Sequence, residues 1–170
     1  MIEAGDGKAA ALQRPIESRA DFVAAVHDTV SLALAHATRR MVWVDADFAE
    51  WPLDDPVLLQ ALKDWVRLPQ RQLVLLAAGY DDLRRRRARF TAWVRLWSHA
   101  VTSFSPSPDD VAELPGVLWA EGAGLVHLLD PVHWRGWASS DVAQQGQWRD
   151  RIDAFLQRST PAFPVTTLGL

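Results

Sequence analysis

Two short, unbroken apolar runs constrain this chain more than anything else in it: Met41-Val42-Trp43-Val44 and Leu73-Val74-Leu75-Leu76. A strand wetted on one face alternates apolar with polar residues, whereas a strand covered on both faces does not. Each run therefore reads as a buried strand that needs helices on both sides. The flanking stretches supply those helices. Ser18, with Asp21 three residues on, reads as an N-cap with an acid at N3. Phe22, Val26, Val30, Ala33 and Ala37 then recur at helical spacing as far as Arg39-Arg40. Asp55 followed by Pro56 opens a second helix, with Leu58, Leu59, Leu62 and Val66 inward and Pro69 as its stop. Gly79 turns the chain, and Asp81 opens a third helix carrying Leu83, Phe90, Val94 and Trp97 on one stripe. Val101–Phe104 follows as a third strand, closed by Ser105-Pro106-Ser107-Pro108.

The last third changes character. Val117–Ala120, the turn Glu121–Gly124 and Leu125–Leu129 read as a hairpin. Asp130-Pro131 is a second turn, and Val132–Trp137 reads as another strand. Ser140 is placed to cap a final helix with Ile152, Phe155 and Leu156 inward. Helices alternating with strands, then a hairpin and a closing helix, indicate a single-domain α/β sandwich: one mixed β-sheet flanked by helices. Residues 1–16 are small, polar and non-periodic and read as a disordered segment. The α/β domain is expected over 17–158, and 159–170, with its two prolines, as an extended tail.

At 170 residues the chain has the size of one globular domain. It contains no cysteine, which excludes a disulfide scaffold, a thiol nucleophile and any zinc site that uses thiolates. A net charge of -3 argues against electrostatically driven, sequence-specific nucleic-acid binding. Residues 1–7 carry acids where a secretory signal needs a basic start. No apolar stretch of about 18 residues runs without a charge. These features imply a cytoplasmic domain with no membrane partner. No metal-binding or cofactor motif is evident, so no cofactor is expected.

Asp45 and Asp47 follow the first buried strand, and ligands in open α/β sheets bind at the carboxyl ends of strands. Paired acids there can hold Mg²⁺ or act as acid and base. With no third acid and no phosphate-cradling glycine loop beside them, they read first as loop-solvating or turn-capping residues. The histidines are His27, His36, His99, His127 and His133. None has a metal-site spacing, and Ser98-His99 are adjacent on a helix and point apart. Arg84-Arg85-Arg86-Arg87 with Arg89 is the sharpest charge feature. It reads either as a solvated helix face beside Asp81 and Asp82 or as a clamp for phosphates or carboxylates. Four consecutive residues span every side of a helix, so at least one of these arginines must lean toward the protein or a partner. Of the nine tryptophans, Trp43, Trp93 and Trp97 fall at core positions. Trp51, Trp134 and Trp137 fall in or near loops, where semi-exposed indoles suit an interface.

Four segments resemble a known family when taken in order: Ser18-Arg19-Ala20-Asp21-Phe22, Val44-Asp45-Ala46-Asp47-Phe48, Arg95-Leu96-Trp97-Ser98-His99-Ala100 and Thr166-Thr167-Leu168-Gly169-Leu170. They are similar to a proteobacterial domain family of unassigned function, found alone or behind an acetyltransferase domain, whose fold looks like one half of phospholipase D. The resemblance covers the chain from residue 17 onward. It implies a seven-stranded mixed sheet flanked by helices. Active phospholipase D-like enzymes use His-x-Lys-x₄-Asp just before a hairpin; the histidine attacks phosphorus and the lysine holds a phosphate oxygen. The matching place here is Leu114 to Glu121, so Leu114 stands for the histidine, Gly116 for the lysine, and only the acid Glu121 remains. A second near match, His133-Trp134-Arg135, has Ser140 where the acid belongs and Asp141 one residue late. In a strand, a slip of one residue reverses a side chain's face.

The resemblance thus implies a pseudoenzyme: a phospholipase D-like domain with a degenerate motif, acting as a binding or protein-interaction module. Arg84, Arg85, Arg86, Arg87, Arg89 and Arg135 are the expected ligand-binding residues, for an acidic protein partner or a phosphate-bearing ligand. A homodimer is expected, because single-copy enzymes of that kind pair their half-sites. The alternative is a divergent phosphodiesterase or hydrolase that uses Asp45, Asp47 or Glu121 with His133.

Overall fold

The computed structural model describes residues 13–162. The strands are β1 (Gln13–Ile16), β2 (Arg40–Asp45), β3 (Gln72–Ala77), β4 (Val101–Ser105), β5 (Gly116–Ala120), β6 (Gly124–Asp130), β7 (Arg135–Ser139) and β8 (Thr160–Pro161). The helices are α1 (Arg19–Ala35), α2 (Pro56–Val66), α3 (Asp81–Arg86), α4 (Ala88–Leu96) and α5 (Val142–Gln157), with a 3-10 segment over Pro108–Glu113. The strands form one sheet in the order β1-β7-β6-β5-β2-β3-β4-β8. β2, β3 and β4 run parallel, as helical crossovers require, and every other pairing is antiparallel. This is a mixed sheet of eight strands, where the resemblance implied seven.

Alternation along the central strands divides the core in two. Met41, Trp43, Leu73, Leu75, Leu118, Ala120, Val126 and Leu128 face one side, against α1, α2 and α4. Val42, Val44, Val74, Leu76, Val117, Trp119 and Leu125 face the other, where Trp148, Ile152 and Phe155 of α5 cover them. The two unbroken apolar runs are therefore buried on both faces. Local chemistry sets the helix starts. The Ser18 hydroxyl accepts from Asp21 N at 3.1 Å, while the Asp21 carboxylate accepts from Glu17 N. Asp55 accepts from Val57 N at 2.8 Å, with Pro56 at the first helical position.

Several expectations need correction. Gln13–Ile16, expected within a disordered 1–16 segment, pairs with β7 along its whole length, and Ile16 is buried in the core. Residues 1–12 lie outside the described residues, as do 163–170 of the expected tail. Within that tail, Thr160–Pro161 pairs with β4 as β8. The single third helix is two, because the chain leaves helical geometry at Arg87 (φ -121°, ψ 59°). There Asp54 Oδ1 accepts from Phe90 N at 3.0 Å and starts α4 afresh. The strand after Asp130 begins at Arg135 rather than Val132, since Asp130 Oδ1 accepts from Val132 N and His133 N and holds a turn. Asp141 replaces Ser140 as cap of the last helix; its carboxylate accepts from Gln144 N. Ala37, expected on the inner face of α1, is exposed beyond its end at φ 49°. Trp51, expected in a loop near the surface, is fully buried between Phe22, Trp43 and Phe48. Trp97 is only half-buried.

Candidate functional site

The carboxyl ends of β2 and β6 and the entry to β5 meet around a cleft of about 290 Å³. Because β5 and β6 run antiparallel, Gly116 pairs with Leu128 at this end of the sheet. The end of the 3-10 segment brings Glu113 and Leu114 to the rim, and α5 crosses behind it with Arg151. Asp45, Glu113, His127 and Arg151 are the ionisable lining residues; Leu114, Pro115, Leu128, Leu129 and Pro131 supply the apolar wall.

Asp45 ends β2, where the chain turns away. Its Oδ2 accepts from Phe48 N at 2.8 Å and from Asp47 N at 3.3 Å, a loop-closing role. Burial nonetheless pushes its pKa above the usual carboxylate value, and the neighbouring Asp47 adds to the rise while the two N–H groups oppose it. Its Oδ1 faces Gly116, and a Cβ at that position would lie 3.3 Å from it. A side chain at 116 would therefore intrude on the carboxylate.

His127 sits on β6 with Trp137 and Trp148 on either side, at ring-centroid distances of 4.5 and 4.6 Å. It is 7% exposed, and its Nδ1 is buried without a hydrogen-bond partner. Desolvation, and then the charge of Arg151, lower its pKa to about 4. It is neutral at pH 7. A buried N–H without an acceptor costs more than an idle lone pair, so the proton belongs on Nε2. Arg151 stacks over the Trp148 ring at 4.7 Å, which leaves the guanidinium edge available for an anion. Among the described residues Arg151 forms no ion pair, although nearby Arg158 forks onto Asp110 at 2.8 and 3.0 Å.

Of the acids, His133 and arginines selected from the sequence, Asp45 lines the cleft, together with Leu114 and Gly116 of the matched motif. Asp47 closes the same loop by accepting from Ala49 N. Glu121 lies at the opposite end of the sheet, where its N–H bonds to Arg40 O at the start of β2. His133 is 73% exposed in the β6–β7 turn and lies 2.7 Å from Asp130, whose pKa it lowers by that hydrogen bond. Arg135 is exposed opposite Glu17 at 3.8 Å. The structure therefore does not assemble Asp45, Asp47, Glu121 and His133 into one site.

The arginine run is dispersed as well. Arg84 faces Asp81 at 3.8 Å and Arg86 faces Asp82 at 3.7 Å, both exposed. Arg87 turns inward and donates to Ala49 O at 2.7 Å. Arg84, Arg85 and Arg86 occupy the last turn of a six-residue helix, not the first turns of a long one. These are the contacts of a solvated face with one residue turned in. His127 and Arg151 were the residues to find. His127 carried a weak signal, a histidine inside an otherwise apolar strand; Arg151 carried none.

No family model matches the chain, and no curated protein sequence matches it. Among solved structures it is similar to TrmBL2, an archaeal chromatin protein whose structure is described as showing a novel mode of DNA binding. The TM-score is 0.61 at 8% identity, over 88% of this chain and 54% of that one. The chain thus spans about half the length of that structure. A likeness at this identity is one of fold. Among the described residues no helix is long and apolar enough to cross a membrane, and no group of three or more potential metal ligands stands together.

Proposed function

We propose that this chain is a phospholipase D-like domain that works as a non-catalytic binding module, with the cleft between β2, β5 and β6 as its ligand site. One observation carries the reading. Leu114 and Gly116, the positions matched to the family's histidine and lysine, both line the cleft, and neither can attack or hold a phosphoryl group. On that match, the family's catalytic place would be kept here with its two reactive side chains replaced. Arg151, stacked on Trp148 and in no ion pair among the described residues, is the basic group left to meet the acidic end of a ligand. The arginine run and Arg135 support this role less well, since Arg84, Arg86 and Arg135 each face a nearby acid and Arg87 is turned onto the Ala49 carbonyl. DNA binding, which the description of TrmBL2 attributes to that protein, gains no support from a net charge of -3.

A second reading keeps catalysis, and the meeting of Asp45 with His127 in one cleft favours it: a carboxyl group whose pKa is raised by burial and a neutral imidazole are the ingredients of acid–base work. A generic phosphodiester assay separates the two. The binding-module reading expects no turnover above buffer. Hydrolysis that His127→Ala or His133→Ala abolishes would overturn it.

A further inference from the structure

We propose that the cleft selects a compact zwitterion of the amino-acid class, with the carboxylate on Arg151 and the ammonium between Asp45 and Glu113. This rests on the cleft being a binding site and specifies what it binds. The argument begins with charges that share a small space without pairing. Arg151 on α5 and the acids Asp45 and Glu113 all line a volume of about 290 Å³, yet among the described residues no ion pair joins the guanidinium to either acid. The same corner of the molecule does pair its charges elsewhere: Arg158 forks onto Asp110, and its charge also reaches Glu113. Opposite charges that line one cleft without pairing suit a molecule that carries both.

The remaining features narrow the class. Two carboxylates against one guanidinium repel a simple anion such as inorganic phosphate, and Arg151 repels a simple amine. The volume lies at the lower end for small-molecule sites, so the ligand is compact. Leu114, Pro115 and Leu128 offer an apolar wall between the charged groups, which suits a short aliphatic body. Arg151 is held by its stacking on Trp148, so little side-chain freedom is lost when a carboxylate pairs with it. The Asp45 Oδ2 is committed to the loop, the Trp51 indole also bears on the carboxylate, and Oδ1 faces Gly116 at the cleft, where it can accept from an ammonium. His127 Nε2–H adds a neutral donor suited to the carboxylate end.

The test is isothermal titration of the whole chain with L-leucine and 6-aminohexanoate, two zwitterions of different charge spacing. The controls are 4-methylpentanoate, 3-methylbutylamine and inorganic phosphate. At least one zwitterion should bind, and every single-charge control should bind at least tenfold more weakly. Arg151→Ala and Glu113→Gln, both at exposed positions, should each lower zwitterion affinity about tenfold or more. The inference is overturned if neither zwitterion binds at millimolar concentration, if a control binds as tightly, or if Glu113→Gln changes nothing. Binding of phosphate alone would sink the zwitterion while leaving a binding module standing. Phosphodiester turnover would sink the non-catalytic reading while leaving the zwitterion result to stand or fall by itself.

Discussion

Protonating His127 would place a cation between two indole rings and beside a guanidinium. Its folded pKa, about 4, lies below the 6.5 of the unfolded chain, so the unfolded chain takes up the proton first as pH falls. Stability from this group is unchanged above pH 6.5 and is lost from there down to about pH 4. At about 1.36 kcal/mol per pK unit, the loss at pH 5 is about 2 kcal/mol. Asp45 works in the opposite sense. Its folded pKa is raised, so the native state takes up that proton first and gains stability as pH falls toward 3.8. Urea denaturation of wild type and His127→Gln at pH 7 and pH 5 isolates the histidine: the wild type should lose about 2 kcal/mol more than the variant. Parallel losses would refute the assignment. The β7 backbone passes equally close to this residue. A Cβ on Gly136 would fall on the His127 carbonyl, so Gly136→Ala should cost about 1–3 kcal/mol or prevent folding. Gly79→Ala, with nothing within 4 Å, serves as the neutral comparison.

At the scale of elements, caps carry testable weight. Asp55 both starts α2 and lies 3.4 Å from His27 on α1, so Asp55→Ala should cost about 1 kcal/mol in chemical denaturation. In the arginine run, Arg85→Ala should change stability by less than about 0.5 kcal/mol. Arg87→Ala should be measurably worse, because it removes the bond to Ala49 O. Equal effects at 85 and 87 would mean that the inward arginine contributes nothing. These elements also mark how far the sequence could be read. The starts of α1 and α2, the three parallel strands and the hairpin were legible, because cap residues and apolar runs act within a few positions of themselves. The break at Arg87 was not, since the carboxylate that restarts the helix belongs to Asp54, far back in the chain. Strands β1 and β8 were not, because short polar segments become strands only through the neighbours they pair with. For the candidate site, Asp45 was legible as a strand-end acid. The site's other members come from the 3-10 segment, β6 and α5, and no spacing rule connects them.

For the whole molecule, the two outermost strands contain Pro15 and Pro161, each of which removes an N–H from an edge. Growth of the sheet by strand addition is disfavoured, so the self-association expected of this domain should use a face. Leu129 and Val132, 65% and 78% exposed near the cleft, are the apolar anchors nearest it. Light scattering at tens of micromolar should give a mass above 19.0 kDa, and Val132→Glu should lower it; a monomer mass for the wild type would count against pairing. The placement of β1 and β8 on opposite margins also decides how the domain bears load. A pull applied between residues 13 and 162 runs across the strands, along the line of their hydrogen bonds, and opens them one after another from the margins. β8 is held to β4 by two residue pairs and β1 to β7 by four. Under tension the sheet should peel from both margins, β8 first, and the antiparallel β5–β2 pairing in the middle of the order should be the last part to feel the strain.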